Sequence, residues 1–180
     1  MLIIFDYFGV LAQDGFWYES KATATVHHKG KHLASLNRKS DLGEISWSDY
    51  CGAVAKDLKL PTEQVMKQYQ DHKINTSVVR LAHSLKEKGY TIVLLSNASS
   101  EYLLPIMKKL GLDALFDKIF VSSDIHLAKP DPLAYEYVLN EMGFEPYEAV
   151  MIDDSQHNVD SAISVGMRGI VYKAGETLII

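Results

Sequence analysis

Residues 2–6, LIIFD, are the most informative segment for the fold. In this segment an uninterrupted apolar run ends in an aspartate. Leu2–Phe5 does not alternate polar and apolar residues, as a strand with one solvated face does. A continuous apolar run of this length is typical of a strand that is buried on both faces, as in parallel sheets. The run therefore predicts a central strand with Asp6 at its carboxyl end.

Four further apolar runs share this character, at 91–95, 118–121, 149–152 and 169–172. The segments between them place apolar residues on one stripe and end close to a glycine, which indicates helices. We expect these helices over 76–88, 99–110, 131–142 and 157–165. Strands and helices that alternate in this way predict an α/β fold, a doubly wound parallel sheet with helices on both faces.

Residues 13–75 interrupt this alternation and contain no buried-strand run. Ser46-Trp47-Ser48-Asp49 resembles a capping box with aspartate in place of glutamate, which predicts a helix to about Leu58. Pro61-Thr62-Glu63 suits the first turn of another helix, which we expect to run to about His72. The segment is therefore predicted to be a small all-helical cap inserted after the first strand, with residues 1–12 and 76–180 forming the core.

Composition and charge limit the kind of partner. Hydrophobic residues make up 47% and charged residues 23%, which is ordinary for a soluble globular protein. A net charge of −5 disfavours a nucleic-acid partner, because it does not provide a basic face. Cys51 is the single cysteine, so no internal disulfide forms, and no apolar run approaches the roughly 20 residues that span a bilayer. We expect a cytoplasmic protein with no nucleic-acid and no membrane partner.

Polar side chains follow the predicted strands where doubly wound sheets bind their ligands. Asp6 follows the first strand, Ser96-Asn97 the second and Asp153-Asp154 the fourth, while Lys129 lies shortly after the third. Each residue alone has an ordinary explanation as a turn residue, a helix cap or a solvated lysine. Adjacent carboxylates beside a third acid repel one another unless a cation lies between them. Together the four segments predict one site at the carboxyl edge of the sheet.

Four segments resemble, in order and spacing, the motifs of the haloacid dehalogenase-like hydrolase superfamily. They are FDYFGVL at 5–11, LLSNAS at 94–99, AKPDPLAY at 128–135 and MIDDSQHNVDSA at 151–162. Gly43-Glu44-Ile45-Ser46 before a cap helix is similar to the branch that contains sugar-phosphate phosphatases and the phosphatase domain of soluble epoxide hydrolase. The resemblance implies a Rossmann-like core with a helical cap and a Mg²⁺-dependent phosphatase that acts on a small phosphorylated metabolite.

The resemblance also implies a role for each motif residue. Asp6 would be the nucleophile that forms an aspartyl-phosphate. Ser96 would donate a hydrogen bond to a phosphoryl oxygen, together with the backbone N–H of Asn97. Lys129 would neutralise phosphate charge and hold Asp6 ionised.

The implied metal site consists of hard oxygen ligands, which suit Mg²⁺ better than zinc. Asp6, Asp154 and the backbone carbonyl of Phe8 would bind the ion. Asp153 would be a further ligand, or would accept hydrogen bonds beside the ligands.

Four residues of the cap are candidates for contact with the substrate, although packing explains the aromatic ones better. They are Trp17, Tyr18, Glu44 and Trp47.

Phe8 departs from the family pattern, in which an aspartate two residues after the nucleophile transfers a proton. Phenylalanine has no such proton, and general acid–base assistance contributes about 10²–10⁴-fold in rate. Another group, a water molecule or a good leaving group takes over this role, or the chain is a slow, ligand-binding relative. A phosphotransferase is a further alternative, since the same aspartyl-phosphate can pass to another acceptor.

A metal-independent 2-haloacid dehalogenase is the remaining alternative, because a halide leaves without a proton. Resemblance to such enzymes would imply loss of the acidic residues of the fourth motif and an arginine early in the cap. Asp153 and Asp154 are both present, and the first arginine of the chain is Arg38. The phosphatase therefore ranks first.

Overall fold

The structure is a computed structural model and describes residues 1–14, 24–178 and 180 of the 180-residue chain. Five strands form one parallel sheet in the order β5-β4-β1-β6-β7. They are β1 (Leu2–Phe5), β4 (Thr91–Ser96), β5 (Lys118–Val121), β6 (Ala149–Asp153) and β7 (Arg168–Val171). The predicted doubly wound sheet is confirmed, and each predicted strand has its counterpart within one residue at either end.

The helices of the core cover both faces of this sheet. They are α4 (Thr76–Glu87), α5 (Ser100–Lys109), α6 (Ser122–Ile125), α7 (Pro132–Met142) and α8 (Gln156–Ser164). Successive side chains of β1 point to opposite faces, so Ile3 belongs to a core cluster with residues of α4 and α5. Ile4 belongs to a second cluster with residues of α7 and α8. Because both faces are buried, the strand tolerates no polar residue before Asp6.

In the described ranges, three helices lie between the first strand and α4. They are α1 (Ala24–Asp41), α2 (Trp47–Leu58) and α3 (Thr62–Tyr69). The Ser46 side chain caps α2 by accepting a hydrogen bond of 3.0 Å from the backbone N–H of Asp49, as the capping signal predicts. Buried Cys51 and its neighbours in the three helices form a third apolar cluster, which also includes Tyr102 and Ile106 of α5. This cluster joins the helical insert to the core.

The structure corrects the expected end of the helix that begins near Pro61. The helix ends at Tyr69, and β3 (His72–Ile74) pairs with β2 (Ala12–Asp14) as an antiparallel ribbon. The backbone of His72–Ile74 is engaged in this ladder and cannot continue the helix. The chain thus leaves the core through β2 and returns through β3, while the division into domains at residues 12 and 75 stays a prediction.

None of the helices in the described ranges is both long and apolar enough to cross a membrane.

Candidate active site

The register of the sheet brings the predicted site residues to one edge. Phe5 of β1 lies opposite Leu94 of β4 and Ile152 of β6, so the residues that follow these three are neighbours. The backbone N–H of Asp6 donates to the carbonyl of Ile152 at 2.9 Å, which fixes the start of the loop. The sheet order places β1 between the two halves of the sheet. Asp6 therefore lies at the switch point, where doubly wound sheets bind ligands.

A buried ammonium joins two of the acidic side chains. Lys129 Nζ lies 2.8 Å from Asp6 Oδ1 and 2.6 Å from Asp153 Oδ2, and the Lys129 side chain is only 1% exposed. Asn97 holds the Lys129 backbone from both sides, because its Oδ1 accepts from Lys129 N at 2.9 Å and its Nδ2 donates to Lys129 O at 2.7 Å. The structure thus brings the predicted lysine to the predicted nucleophile, and it assigns the Asn97 side chain a positioning role that the motif does not reveal.

The three acidic side chains form a compact cluster. Asp6, Asp153 and Asp154 each offer a carboxylate oxygen, and these oxygens lie within 4.8 Å of one another. Burial raises the pKa of Asp6 to about 7; Lys129 lowers it, while Asp153 and Asp154 raise it. Burial lowers the pKa of Lys129, but attraction to Asp6 and Asp153 raises it, and the net shift is upward. Lys129 opposes the upward shift of the Asp6 pKa without cancelling it, so a second positive charge has a clear role here.

The cluster fits a small, hard cation. Among the residues that the structure describes, its donors are carboxylate oxygens without histidine or cysteine, which is the donor set that suits Mg²⁺. Asp154 reaches the cluster only because residue 9 is glycine: a Cβ built on Gly9 would lie 2.2 Å from Asp154 Oδ2. Gly9 also has a φ of +78°, which disfavours other residues. Gly9 belongs to the first motif, but the motif alone does not indicate that the glycine makes room for Asp154.

Asp153 already has donors for both of its oxygens. Oδ2 accepts from Lys129 at 2.6 Å, while Oδ1 accepts from the Ser155 backbone and from Asn158 Nδ2, each at 2.9 Å. The side chain is fully buried. Of the two acids, Asp153 is therefore the one that fixes Lys129 and the loop, and Asp154 is the more exposed one, whose role as a metal ligand stays a prediction. The carbonyl of Phe8 stays a predicted ligand.

The Ser96 hydroxyl is buried without a hydrogen-bond partner in the described part of the chain. Leaving a buried hydroxyl unpaired costs about 1–3 kcal/mol, so a native structure tolerates it where a ligand supplies the partner. Ser122 Oγ supports the loop that follows, since it accepts from Ala98 N at 3.0 Å and donates to Ala98 O at 3.3 Å. This geometry suits a loop whose hydroxyl donates to an anionic oxygen.

Phe8 supplies an aromatic wall instead of a proton donor. Its ring stacks on Tyr102 with centroids 6.3 Å apart and packs against His72 at 6.0 Å. The nearby Arg38 of α1 reaches the core, where Nη1 donates to the Lys129 carbonyl at 3.4 Å. This contact places an arginine of the cap beside the site, which the chain position of Arg38 did not indicate.

A cavity of about 240 Å³ opens between the helical insert and the loop after β4. Trp47 lines it, whereas Glu44 is exposed and is not among its lining residues in the described ranges. Trp47 also stacks on Tyr102 with centroids 4.3 Å apart, so packing and lining coincide in this residue. Trp17 and Tyr18 lie outside the described residues.

A doubly wound sheet with an aspartate at its switch point, a buried lysine and an unpaired hydroxyl has the arrangement of a hydrolase that uses a carboxylate nucleophile. The chain belongs to the haloacid dehalogenase-like hydrolase family, whose model matches residues 1–166. The resemblance drawn from the four motifs is thereby confirmed.

Curated relatives of the chain include members with two different chemistries. A phosphoglycolate phosphatase from Haemophilus influenzae is 27% identical over 115 residues, which cover 61% of this chain and 51% of that protein. The (S)-2-haloacid dehalogenase 4A from Burkholderia cepacia is 24% identical, with 64% of this chain and 50% of that protein covered. The chain thus spans about half the length of these relatives.

Solved structures share the fold. A HAD family enzyme from Bacteroides thetaiotaomicron, in complex with magnesium and inorganic phosphate, superposes with a TM-score of 0.80. The match covers 97% of this chain and 95% of that chain at 22% identity, which establishes a common fold.

Proposed function

We propose that this hydrolase is a Mg²⁺-dependent phosphatase that acts on a small phosphorylated metabolite through an aspartyl-phosphate on Asp6. The observation that carries the proposal is the cluster of Asp6, Asp153 and Asp154 oxygens within 4.8 Å, beside one buried ammonium. Three carboxylates this close require more positive charge than Lys129 provides. The phosphoglycolate phosphatases among the relatives, and the solved relative with magnesium and phosphate, support the same function.

Asp6, Asp154 and the Phe8 carbonyl would hold Mg²⁺, which supplies the charge that lets a carboxylate approach a phosphate dianion. In the first step an oxygen of Asp6 attacks phosphorus, and the bond from phosphorus to the alcohol oxygen breaks. Lys129 keeps the Asp6 carboxylate in place through its contact with Oδ1. Ser96 donates its hydroxyl hydrogen to a phosphoryl oxygen.

In the second step a water oxygen attacks phosphorus of the acyl phosphate, which returns the Asp6 carboxylate and yields inorganic phosphate. The departing alcohol takes its proton from water, because Phe8 stands where a general acid would stand. The enzyme is therefore expected to favour esters whose leaving group departs readily, such as aryl or acyl phosphates, over simple alkyl phosphates. Equal rates on both classes would mean that another residue supplies the proton.

The experiment that tests the proposal is phosphate release from p-nitrophenyl phosphate. We expect release to require Mg²⁺, to stop with EDTA and to fall by more than about 10³-fold in Asp6→Asn. A rate that Asp6→Asn leaves unchanged would rule out the assigned nucleophile. Turnover only in the presence of an added alcohol would instead indicate a phosphotransferase.

One observation favours a second candidate, a metal-independent 2-haloacid dehalogenase. Arg38 Nη1 donates to the backbone carbonyl of Lys129, and a 2-haloacid dehalogenase is among the relatives. In that reaction an oxygen of Asp6 would attack carbon, and the halide would leave without a proton, which Phe8 permits. Halide release from a 2-haloacid that persists in EDTA would support this candidate, and absence of any release would exclude it.

A further inference from the structure

The cavity between the helical insert and the core adjoins the loop that would bind phosphate. Asn97 and Ser99 line it from that loop, and Phe8 lines it from the loop that follows Asp6. A group attached to a phosphate bound at Ser96 therefore has this cavity beside it. At about 240 Å³ the cavity accommodates only a small leaving group, since drug-sized ligands occupy pockets of roughly 300–1,000 Å³.

One wall of the cavity is aromatic. Phe8, Trp47, Tyr69 and Tyr102 line it, and their rings pack on one another. Such rings bury apolar area and hold a flat or apolar group in a defined orientation. They also attract a cation that lies over a ring face.

The opposite wall is polar and belongs to one face of α1. Asn37, Ser40 and Asp41 line the cavity at helical spacing. Ser40 is 2% exposed, and its Oγ has no hydrogen-bond partner in the described part of the chain. A buried hydroxyl of this kind at a cavity wall points to a polar group on the ligand, which supplies the missing partner.

Asp41 gives this wall its charge. It is the one acidic or basic side chain among the cavity's lining residues in the described ranges. Asn37 Nδ2 donates to its Oδ2 at 2.8 Å, so one carboxylate oxygen is held in place. Burial raises the pKa of Asp41 to about 7, and Arg38 lowers it. Above that pH the carboxylate accepts hydrogen bonds and repels an anion.

We propose that this cavity receives the leaving group of the phosphate ester and selects an apolar or aromatic alcohol that ends in a hydrogen-bond donor over one that ends in a carboxylate. The donor is a hydroxyl or an ammonium group, and Asp41 and Ser40 recognise it. The inference rests on the proposed phosphatase function. It separates this chain from the phosphoglycolate phosphatases among its relatives, because glycolate carries a carboxylate.

The test is a series of para- and meta-substituted phenyl phosphates, hydrolysed by the Mg²⁺-loaded full chain at pH 8. The substituents are methyl, hydroxymethyl, aminomethyl and carboxymethyl, and phosphoglycolate is measured beside these esters. A hydrogen bond to a charged group corresponds to about 10- to 100-fold. We expect kcat/KM for the hydroxymethyl or aminomethyl ester to exceed that of the methyl ester by this factor. The carboxymethyl ester and phosphoglycolate are expected to be the poorest substrates.

Two variants of cavity residues and one control variant test which side chains cause the preference for a hydrogen-bond donor. Asp41→Asn is expected to bring the ratio of donor to methyl ester close to one, and Ser40→Ala to lower it. Glu63→Gln removes the same charge from an exposed position of the cap outside the cavity, and is expected to keep the ratio. Preference for a carboxylate-bearing ester, or a ratio that survives both cavity substitutions, would overturn the inference. The larger of the hydroxymethyl and aminomethyl ratios identifies the donor.

Failure of the phosphatase proposal is recognised separately. If none of the esters is hydrolysed, the phosphatase proposal is wrong. Binding of the free phenols to the cavity is then measured by saturation-transfer NMR. Saturation transfer that is stronger to para-hydroxymethylphenol or para-aminomethylphenol than to para-methylphenol would still support the selectivity of the cavity for a hydrogen-bond donor. This difference should disappear in Asp41→Asn. Equal transfer to all three would overturn it.

Discussion

Replacement of Gly9 by alanine tests whether the approach of Asp154 matters to the metal site. A Cβ at residue 9 would lie 2.2 Å from Asp154 Oδ2 and 2.4 Å from its Cγ, where ordinary contacts begin at 3.4 Å. The Asp154 carboxylate must therefore move by more than 1 Å. Metal–ligand distances in working sites hold to about ±0.2 Å, so a shift of this size removes or distorts the ligand.

The magnitude follows from two separate effects. Displacing one carboxylate from the cluster is expected to weaken Mg²⁺ binding by about 10- to 100-fold. Forcing alanine into the left-handed region at φ +78° costs a further 1–2 kcal/mol or so of stability, independently of the metal. Gly89→Ala is the matched control, because Gly89 has a φ of +84° and no atom of the described residues lies within 4 Å of its Cβ position.

The assay is a Mg²⁺ titration by calorimetry and by phosphate release, in both variants and the unsubstituted protein. Gly89→Ala is expected to lose stability and to keep its Mg²⁺ affinity, whereas Gly9→Ala loses both. A Mg²⁺ affinity of Gly9→Ala within about threefold of that of Gly89→Ala would show that the position of Asp154 does not matter for metal binding.

Three further substitutions separate stability from function. Ser96→Ala removes a buried unpaired hydroxyl, so the free energy of unfolding in urea should not fall, while kcat falls by about 10²-fold; a loss of stability would contradict this. Lys129→Met leaves Asp6 and Asp153 without their shared ammonium and should lower the free energy of unfolding, in EDTA, by about 3–5 kcal/mol. A loss under about 1 kcal/mol would show that the ammonium does not hold the two acids. The pKa of Asp41 is about 7 in the folded chain against an ordinary 3.8, so the folded state keeps its proton longer and stability falls as pH rises between these values. The free energy of unfolding of Asp41→Asn, relative to that of the unsubstituted protein, should therefore rise by about 2 kcal/mol between pH 5 and pH 8. A difference that does not change with pH would count against the raised pKa of Asp41.

The sheet could be predicted because each of its strands is buried on two faces. Leu2–Phe5 and the later runs are continuous stretches of apolar residues, and such stretches stand out in a sequence. The β2–β3 ribbon could not be predicted, since three-residue strands have no measurable periodicity. The helix that begins near Pro61 was therefore expected to run to about His72 instead of ending at Tyr69.

Some residues of the candidate site could likewise be predicted from the sequence, and others could not. Asp6, Ser96 and Lys129 follow strands or motifs, so their place at one edge was predictable from chain order. Ser40 and Asp41 lie on a cap helix whose orientation depends on tertiary packing, and nothing in their local sequence indicates that they line a cavity. Arg38 is a similar case, because its contact with Lys129 spans 91 positions of the chain.

The proposed mechanism requires that Asp6 carries the phosphoryl group during turnover. The most direct measurement is peptide mass spectrometry after a rapid acid quench of the protein with Mg²⁺ and an aryl phosphate. We expect a phosphoryl group on the peptide that contains Asp6, dependent on Mg²⁺ and absent from Asp6→Asn. Phosphate release at full rate by Asp6→Asn, or a phosphoryl group on another residue, would contradict it.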